Sequence, residues 1–272
     1  MTQTTVLPVE MLAKFFRTLG DETRLQIVHM LALTDLRVAE IVEHLQAPQN
    51  AVSYHLKRLR SLGLLRDRRS SGDARDIYYR TDLERLHTLY VAAGLSLHPA
   101  LVEPQSLRSP RSEIVSASDL SPVRILFLCT HNSVRSQFAE AIAHHLGGNR
   151  VCAQSAGSEP TDIHPVTIAL MKEYGINPAL YWSKHVDDII EREFDYVITV
   201  CDRVREICPM FPPPVQCLHW SLPDPIDIAD EDEQRRVFRE VWQELYSRIR
   251  YLLATAPVRE STRENGTPQV VS

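Results

Sequence analysis

The first third of the chain shows apolar residues at helical spacing. The pattern predicts two short helices over residues 11–31, a third helix that begins near Asp35, and a fourth over about residues 50–62. Asp21 and Asp35 are placed to accept the first amide hydrogen bonds of the second and third helices. The fourth helix is amphipathic, because Val52 and three leucines fall on one side and polar residues on the other.

The stretch "LLRDRRSSGDARDIYYR" predicts two strands joined by a Ser-Ser-Gly-Asp turn, and one more helix follows over residues 82–101. Helix, turn, polar-faced helix and basic hairpin occur in the order of a winged helix-turn-helix domain. Polar side chains on the fourth helix suit base edges, and hairpin arginines suit phosphates. The predicted DNA contacts are Asn50, Ser53, Tyr54, Lys57 and Arg58 on the helix and Arg66, Arg68 and Arg69 on the hairpin. An all-helical packing module is the alternative.

A different pattern begins at Val123. Short apolar runs near residues 124–128, 150–155, 195–200 and 215–219 predict strands, and helical patterns lie between them. This alternation predicts a three-layer α/β domain with a parallel sheet. The sequence therefore divides into a winged helix-turn-helix domain over 1–95, a Pro- and Ser-containing linker over 96–122, an α/β domain over 123–255, and a polar tail, expected to be disordered, over 256–272.

Charge is distributed unevenly along the 272 residues. The formal net charge of −5 results from +2 in residues 1–95 and −7 in the remainder. Lys57–Arg69 carries six basic residues and one acidic residue, which favours a polyanionic partner, although a solvated helix face is the simpler interpretation. We expect a cytoplasmic protein with no membrane partner, because the sequence shows neither a signal-like start nor an apolar run of membrane-spanning length.

The candidate chemistry begins at Cys129, which ends the first predicted strand of the α/β domain. Arg135 and Ser136 follow where a helix begins, so residues 129–136 form a loop whose amide groups and helix dipole favour an anion. We expect a lowered thiol pKa there, a two-pronged contact from Arg135 to an oxyanion, and a hydrogen bond from Ser136 to the sulfur. The Cys-x5-Arg spacing thus predicts a nucleophile beneath an oxyanion cradle, suited to a phosphate ester or to arsenate.

Further thiols bear on the choice between these two substrates. Phosphate transfer needs one cysteine and a general acid, whereas arsenate reduction requires two electrons. Cys201 and Cys208 follow a later predicted strand at C-x6-C spacing and can supply these electrons by forming a disulfide, while two packed core thiols are the alternative. We expect Cys152 and Cys217 to be packed strand cysteines.

The N-terminal motifs "FFRTLGDETRLQIVHML" and "NAVSYHLKRLRSLGLL" resemble the arsenic-responsive repressor family of winged-helix metalloregulators. The resemblance implies double-stranded operator DNA as a partner and a homodimer formed through the N-terminal domain. Residues 1–128 contain no cysteine, so the thiol site by which relatives sense arsenite is missing. His87 and His98 have the spacing of a histidine pair in zinc-sensing relatives, but the accompanying carboxylates are not in place, and we expect surface or interface histidines.

The C-terminal blocks "CTHNSVRSQFAEA", "SAGSEP", "VITVCDRVREICP" and "HWSLPDP" resemble the thioredoxin-coupled arsenate reductases, relatives of low-molecular-weight tyrosine phosphatases with their phosphatase-type P-loop. The resemblance implies that Cys129 attacks arsenate, Arg135 binds its oxygens and Asp224 protonates the leaving oxygen. Cys201 then attacks Cys129, arsenite leaves, and Cys208 carries the disulfide outward to thioredoxin. The implied substrate-binding loop consists of Thr130, His131, Asn132, Ser133, Val134, Arg135 and Ser136. The potassium site of some members is implied for Asn132, Glu140 and Ser155.

We therefore predict a DNA-binding regulator fused to an arsenate reductase, with no required metal and no tightly bound cofactor. One alternative is a phosphatase-like regulator in which the cysteine pair acts only as a redox switch. The other is a repressor that binds arsenite through Cys129, Cys201 and Cys208 without turnover. Since the first domain has no thiol, any arsenic response of DNA binding must arise in the second, and the flexible composition of the linker argues against tight coupling.

Overall fold

The computed structural model describes residues 7–98, 101–102, 120–207, 211–256 and 259–260. The elements of the N-terminal half are α1 (Val9–Leu19), α2 (Glu22–Leu33), β1 (Leu36–Arg37), α3 (Val38–Leu45), α4 (Gln49–Arg60), β2 (Leu65–Arg69), β3 (Ile77–Thr81) and α5 (Leu83–Leu97). Those of the C-terminal half are β4 (Leu120–Ser121), β5 (Val123–Cys129), α6 (Arg135–Gly147), β6 (Val151–Gly157), α7 (Pro165–Glu173), β7 (Tyr196–Thr199), α8 (Asp202–Ile207), β8 (Gln216–His219), α9 (Glu231–Thr255) and β9 (Arg259–Glu260).

Apolar burial and local capping explain the helices of the N-terminal half. Asp21 caps α2 by accepting the amide hydrogen of Arg24 at 3.0 Å, as predicted. α4 turns Val52 and Leu59 into the core and leaves its polar side exposed. β2 and β3 pair as an antiparallel hairpin, and β1 extends it to a three-stranded sheet in the order β1-β3-β2. The predicted winged helix-turn-helix is confirmed, and residues 65–81 form its wing.

Asp35 does not begin the third helix, and the prediction of a cap there was wrong. α3 starts at Val38, and the amide of the preceding Arg37 donates to Glu40 at 2.7 Å. Asp35 is instead buried and turned toward the C-terminal half, where its two carboxylate oxygens accept hydrogen bonds from Arg248 at 2.8 and 3.2 Å. The carboxylate therefore serves the contact between the halves rather than the helix.

The C-terminal half is built on a parallel sheet with strand order β6-β5-β7-β8, which confirms the predicted α/β architecture. β5 is buried from Ile125 to Cys129, as expected of a central strand in a covered parallel sheet. α6 packs on β5 and β6 and also against α9, where Phe138 meets Trp242 edge to face with ring centres 5.1 Å apart. The strand order reverses between β5 and β7, and ligands bind at such switch points beyond the carboxyl ends of the strands.

A small antiparallel pair lies at the ends of the C-terminal half. β4 pairs with β9, so that Leu120 opposes Glu260 and Ser121 opposes Arg259. The segment predicted to be a disordered tail therefore contributes a strand to the fold. The predicted linker residues 103–119 and most of the tail lie outside the described residues.

α9 is long and amphipathic. It spans 25 residues, and its buried face includes Val237, Trp242 and Leu252, while charged residues cover the opposite side. Across the ranges that the structure describes, no helix combines the length and apolar character needed to cross a membrane.

Polar contacts join the two halves of the chain. The amide of Asp35 donates to the carbonyl of His219 at 2.7 Å, and the amide of His219 donates to the hydroxyl of Thr34 at 2.9 Å. The indole of Trp220 donates to the carbonyl of Leu33 at 2.9 Å. Each of these bonds satisfies a polar group that the contact between the halves takes out of water. The linker composition gave no indication of such specific contacts.

Replacing Asp35 by alanine should strongly destabilise the protein. The change leaves the buried Arg248 without its two-pronged partner and the amide of Ser221 without its 2.8 Å acceptor. Loss of one member of a buried ion pair typically costs about 3–5 kcal/mol. The free energy of unfolding, obtained from urea denaturation followed by tryptophan fluorescence, measures the effect.

Glu84→Ala is the matched control. Glu84 also reaches across the interface, to Arg250 at 2.6 Å, but this pair is exposed. We expect a cost of about 1 kcal/mol or less, as is usual for surface ion pairs. Equal losses in the two variants would contradict the importance assigned to the buried pair.

Candidate active site

Cys129 lies at the carboxyl end of β5, and Arg135 opens α6 directly beyond the connecting loop. Both side chains are buried, with 2% and 4% of their surface exposed. The sulfur of Cys129 is 2.8 Å from the hydroxyl oxygen of Ser136 and accepts the amide hydrogen of Asn132 at 3.2 Å. The structure therefore contains the predicted loop between strand and helix, with the thiol at its base.

The loop is held open by donors on its outer side. Four successive carbonyl groups, from Thr130 to Ser133, accept hydrogen bonds from residues outside the loop. The donors are the amide of Glu159 at 2.9 Å, the amide of Thr161 at 3.0 Å, the hydroxyl of Ser183 at 3.0 Å and the amide of His164 at 3.2 Å. Because a peptide unit is planar and trans, a carbonyl turned outward leaves the amide of the same unit turned inward. The loop thus presents amide hydrogens toward its centre, as an oxyanion requires.

Asn132 and Gly157 fix the course of the loop. Asn132 adopts a left-handed conformation with φ of 46°, and its side-chain amide donates to Ser136 and Ser155 at 2.8 Å each. A Cβ atom on Gly157 would lie 2.5 Å from the carbonyl oxygen of Thr130. Only glycine lets β6 approach the loop this closely. The close packing of β6 against the loop therefore explains the glycine in the block "SAGSEP".

Arg135 forms a buried ion pair with Asp224, and a second guanidinium nitrogen lies 3.4 Å from the carbonyl oxygen of Leu222. The sequence placed both charged residues at the site, and the structure brings them into direct contact. The pair stands beside the thiol, so the guanidinium can bind an oxyanion and the carboxyl group can exchange a proton there.

The pKa of Cys129 differs from the expectation. Complete burial raises the pKa of this thiol, and the charge of Arg135 and the hydrogen bond with Ser136 oppose the rise only in part. The predicted lowering was wrong for this state of the site. The physical reason is that burial penalises the thiolate, and the neighbouring Cys201 adds to the rise of the pKa.

A second thiol lies close to the loop. Cys201 follows β7, is 1% exposed, and its sulfur is 3.2 Å from the hydroxyl oxygen of Thr130. Cys208, the third predicted redox cysteine, lies outside the described residues. Cys152 and Cys217 are exposed, so the expectation that they are packed was wrong. They lie on β6 and β8, which are the two edge strands of the sheet, and edge strands leave outward side chains uncovered.

Lys184 stands where a potassium ion was predicted to bind. The structure does bring the three predicted ligands together, since Ser155 donates to Glu140 at 2.5 Å and Asn132 donates to Ser155. However, the ammonium group of Lys184 lies 3.2 Å from Glu140 and donates to the carbonyl of Trp182 at 3.0 Å. A lysine charge therefore accompanies the buried carboxylate. Sequence reasoning missed Lys184, because "SKHV" carries no recognisable motif and lies 44 residues from Glu140.

The predicted DNA-contacting residues fall into two groups. Those on α4 share one exposed face, and they are Asn50, Ser53, Tyr54, Lys57 and Arg58. On the wing, Arg66 and Arg69 are exposed, although Arg66 also contacts Asp82 at 2.5 Å. Arg68 is instead directed into the C-terminal half, where it contacts Asp202 at 3.0 Å.

Comparison with known proteins gives two family matches and several relatives. Residues 124–264 match the low molecular weight phosphotyrosine protein phosphatase family, and residues 21–67 match the bacterial regulatory protein arsR family. An arsenate reductase of Halalkalibacterium halodurans is 35% identical over 132 residues, which span 48% of this chain and 95% of that protein. An arsenate reductase of Bacillus subtilis is 36% identical, with the same shares covered. Both resemblances drawn from the motifs are confirmed.

One solved structure aligns with a larger part of the chain. The thioredoxin-dependent arsenate reductase of Corynebacterium glutamicum is 27% identical and covers 84% of this chain and 96% of its own, with a TM-score of 0.41.

Replacing Lys184 by glutamine should destabilise the protein in a way that potassium relieves. The change leaves the buried Glu140 without a cation, which typically costs about 3–5 kcal/mol. The oxygen atoms of Asn132, Glu140 and Ser155 remain as hard ligands for a monovalent cation. Thermal unfolding in potassium chloride and in sodium chloride at equal ionic strength measures both effects. Lys172→Gln, at an exposed position, should change neither. An unaltered melting temperature of Lys184→Gln would contradict this view of the site.

Proposed function

Because the chain belongs to the low molecular weight phosphotyrosine protein phosphatase family and carries an arsR-family regulatory domain, we propose that it reduces arsenate to arsenite and also binds operator DNA. The observation that supports reduction most strongly is a second buried thiol at the loop. The sulfur of Cys201 is 3.2 Å from Thr130, the residue that follows the nucleophilic Cys129. Phosphate transfer needs only the first thiol, whereas reduction of arsenate uses both.

The first step joins Cys129 to arsenate. The inward amide groups of the loop bind the oxyanion, and Arg135 turns from Asp224 to the arsenate oxygens. The thiol sulfur attacks arsenic, a sulfur–arsenic bond forms, and one arsenic–oxygen bond breaks. Asp224, freed from the guanidinium, accepts the thiol proton as a carboxylate and passes it as a general acid to that oxygen, which leaves as water. Ionising a buried thiol is costly. Attack of the Cys129 sulfur on arsenic is therefore linked to transfer of the thiol proton to the leaving oxygen.

The second step transfers the electrons. Cys201, as a thiolate, attacks the sulfur of Cys129, and the sulfur–arsenic bond breaks with its electron pair left on arsenic. Arsenic(V) becomes arsenic(III) and is released as arsenite, while the two cysteines become a disulfide. Cys208 then attacks Cys201 and frees Cys129. The dithiol of thioredoxin reduces the resulting Cys201–Cys208 disulfide and supplies the two electrons of each turnover.

DNA binding is proposed for the exposed face of α4, with base contacts from Ser53 and Tyr54 and phosphate contacts from Lys57 and Arg58. The wing adds Arg66 and Arg69, which are exposed. A winged domain of this family reads its operator as a dimer, and we propose a homodimer through the N-terminal half. Potassium is not needed in this proposal, because Lys184 already accompanies the buried carboxylate.

The thiol series tests the reaction. Cys129→Ser should abolish arsenite release, because a serine hydroxyl is hardly ionised at neutral pH and cannot replace the thiolate. Cys208→Ser should allow a single turnover and accumulate a Cys129–Cys201 disulfide, which peptide mapping detects. The assay measures arsenite formed from arsenate with thioredoxin, thioredoxin reductase and NADPH.

Cys152→Ser serves as the control, because Cys152 is exposed on an edge strand away from the loop. It should reduce arsenate at the wild-type rate. Turnover by Cys129→Ser above background would refute the mechanism. Hydrolysis of p-nitrophenyl phosphate without arsenite release would favour the phosphatase alternative, and arsenite binding without turnover would favour a sensor.

Salt dependence tests the DNA interface. Each phosphate contact that is lost should lower the slope of log affinity against log salt by about 0.9. The Arg66→Ala, Arg69→Ala double variant should therefore bind operator and random duplex more weakly, with a shallower slope. Ser53→Ala should instead reduce the preference for operator and leave the slope unchanged. Fluorescence anisotropy with labelled duplexes measures both. An unchanged slope in the double variant would mean that the wing does not contact DNA.

A further inference from the structure

The wing of the DNA-binding half reaches the neighbourhood of the redox thiols. Two guanidinium nitrogens of Arg68 contact one oxygen of Asp202, at 3.0 and 3.2 Å, and one of them also donates to the carbonyl of Leu222 at 2.9 Å. The amide and hydroxyl groups of Ser71 bind the same carboxylate oxygen at 2.7 and 3.0 Å. The tip of the wing therefore encloses a carboxylate of the other half.

Asp202 is completely buried and directly follows Cys201 in the chain. Its second oxygen is 3.2 Å from Nε2 of His219, whose Nδ1 is 2.8 Å from the hydroxyl of Thr199. A carboxylate only accepts hydrogen bonds, so Nε2 of His219 carries the hydrogen and Nδ1 accepts from Thr199. Burial lowers the pKa of His219, which keeps the ring neutral. Among the partners of Asp202, Arg68 therefore supplies the positive charge.

The N-terminal half holds α8 at a second point. Arg205, one turn after Asp202, contacts Glu40 at 2.5 Å, and its guanidinium lies 5.1 Å from the ring centre of Tyr78. Both of these partners belong to the N-terminal half. α8, which begins directly after Cys201, is thus held in place by side chains of the N-terminal half.

Arg68 also meets the oxyanion side of the site. The carbonyl of Leu222, which accepts from Arg68, lies 3.4 Å from a guanidinium nitrogen of Arg135. Leu222 lies two residues before Asp224, which is the ion-pair partner of Arg135. Arg68 therefore contacts two places at the site. One is Leu222, in the segment that contains Asp224, and the other is Asp202, which follows Cys201 in the chain.

We propose that Arg68 is a positioning residue for the reductase reaction, supplied by the DNA-binding half, and that DNA binding and arsenate reduction therefore compete for it. This inference rests on the proposed function. When Cys201 becomes a thiolate, a second negative charge arises beside the carboxylate of Asp202, and the guanidinium of Arg68 compensates for it. Arg68 is also one of the predicted phosphate contacts, and its guanidinium cannot bind a DNA phosphate while it is buried against Asp202. Because coupling between sites is reciprocal, DNA must weaken the docked state as much as docking weakens DNA binding.

The experiment compares steady-state arsenate reduction by wild type, Arg68→Ala, Arg68→Lys and Arg75→Ala. Arg75 is a matched control, since it is an exposed wing arginine that pairs with Asp73 of the wing itself. Misplacement of reacting groups costs up to about 100-fold in rate, so we expect kcat of Arg68→Ala to fall by about 10-fold to 100-fold. KM for arsenate should change little, and Arg68→Lys should recover part of kcat. Arg75→Ala should match wild type.

A second arm uses unmodified protein and does not depend on how a variant folds. Saturating random-sequence duplex DNA at low salt should lower kcat of wild type to a value near that of Arg68→Ala. The Arg66→Ala, Arg69→Ala double variant should resist the same DNA concentration, because it binds DNA more weakly. Full turnover by DNA-bound wild type, or equal kcat in Arg68→Ala and Arg75→Ala, would overturn the inference. Wild type that releases no arsenite would refute the proposed function and this inference with it, whereas an active wild type confines any failure to the inference.

Discussion

The buried carboxylate of Asp202 is the group on which the arrangement of the two halves depends. Burial alone would raise its pKa, but the hydrogen bond of His219, the charge of Arg68 and the amide of Ser71 hold the pKa well below its usual range. A charge in such a place is tolerated only while its partners remain. Two of these partners come from the wing, and Cys201 is the neighbour of Asp202 in the chain. The wing and a second buried thiol therefore share one electrostatic site.

The catalytic loop follows a different constraint, which is geometric. Its carbonyl groups are fixed from outside, Gly157 permits close approach of β6, and Asn132 holds the turn in a left-handed conformation. The cradle is thus formed before any oxyanion arrives, as electrostatic stabilisation of a transition state requires. The cost falls on Cys129, whose thiol is buried with a raised pKa. Formation of the thiolate at this loop therefore works against the cost of burial, which Arg135 and Ser136 offset in part.

Sequence reasoning succeeded where the determining interactions are local. The path from Cys129 to Arg135 is a strand, a loop and a helix within a few residues, and both families could be inferred from short motifs. It failed where partners are distant in the chain. The lysine beside Glu140, the pairing of Asp35 with Arg248 across 213 residues, and the exposure of the edge-strand cysteines depend on tertiary packing. The thiol pKa was misjudged for the same reason, because the depth of burial has no local signal.

Hydrogen–deuterium exchange on the intact protein tests the central claim most directly, since it reports on the contact between wing and reductase half without any substitution. The amide hydrogens of residues 202–207 and 219–222 belong to the C-terminal half, so contact with DNA itself does not explain a change there. If duplex DNA draws the wing from Asp202, these amides should exchange faster when DNA is bound, because local opening becomes easier. Unchanged or slower exchange in both segments, with DNA bound, would contradict the account.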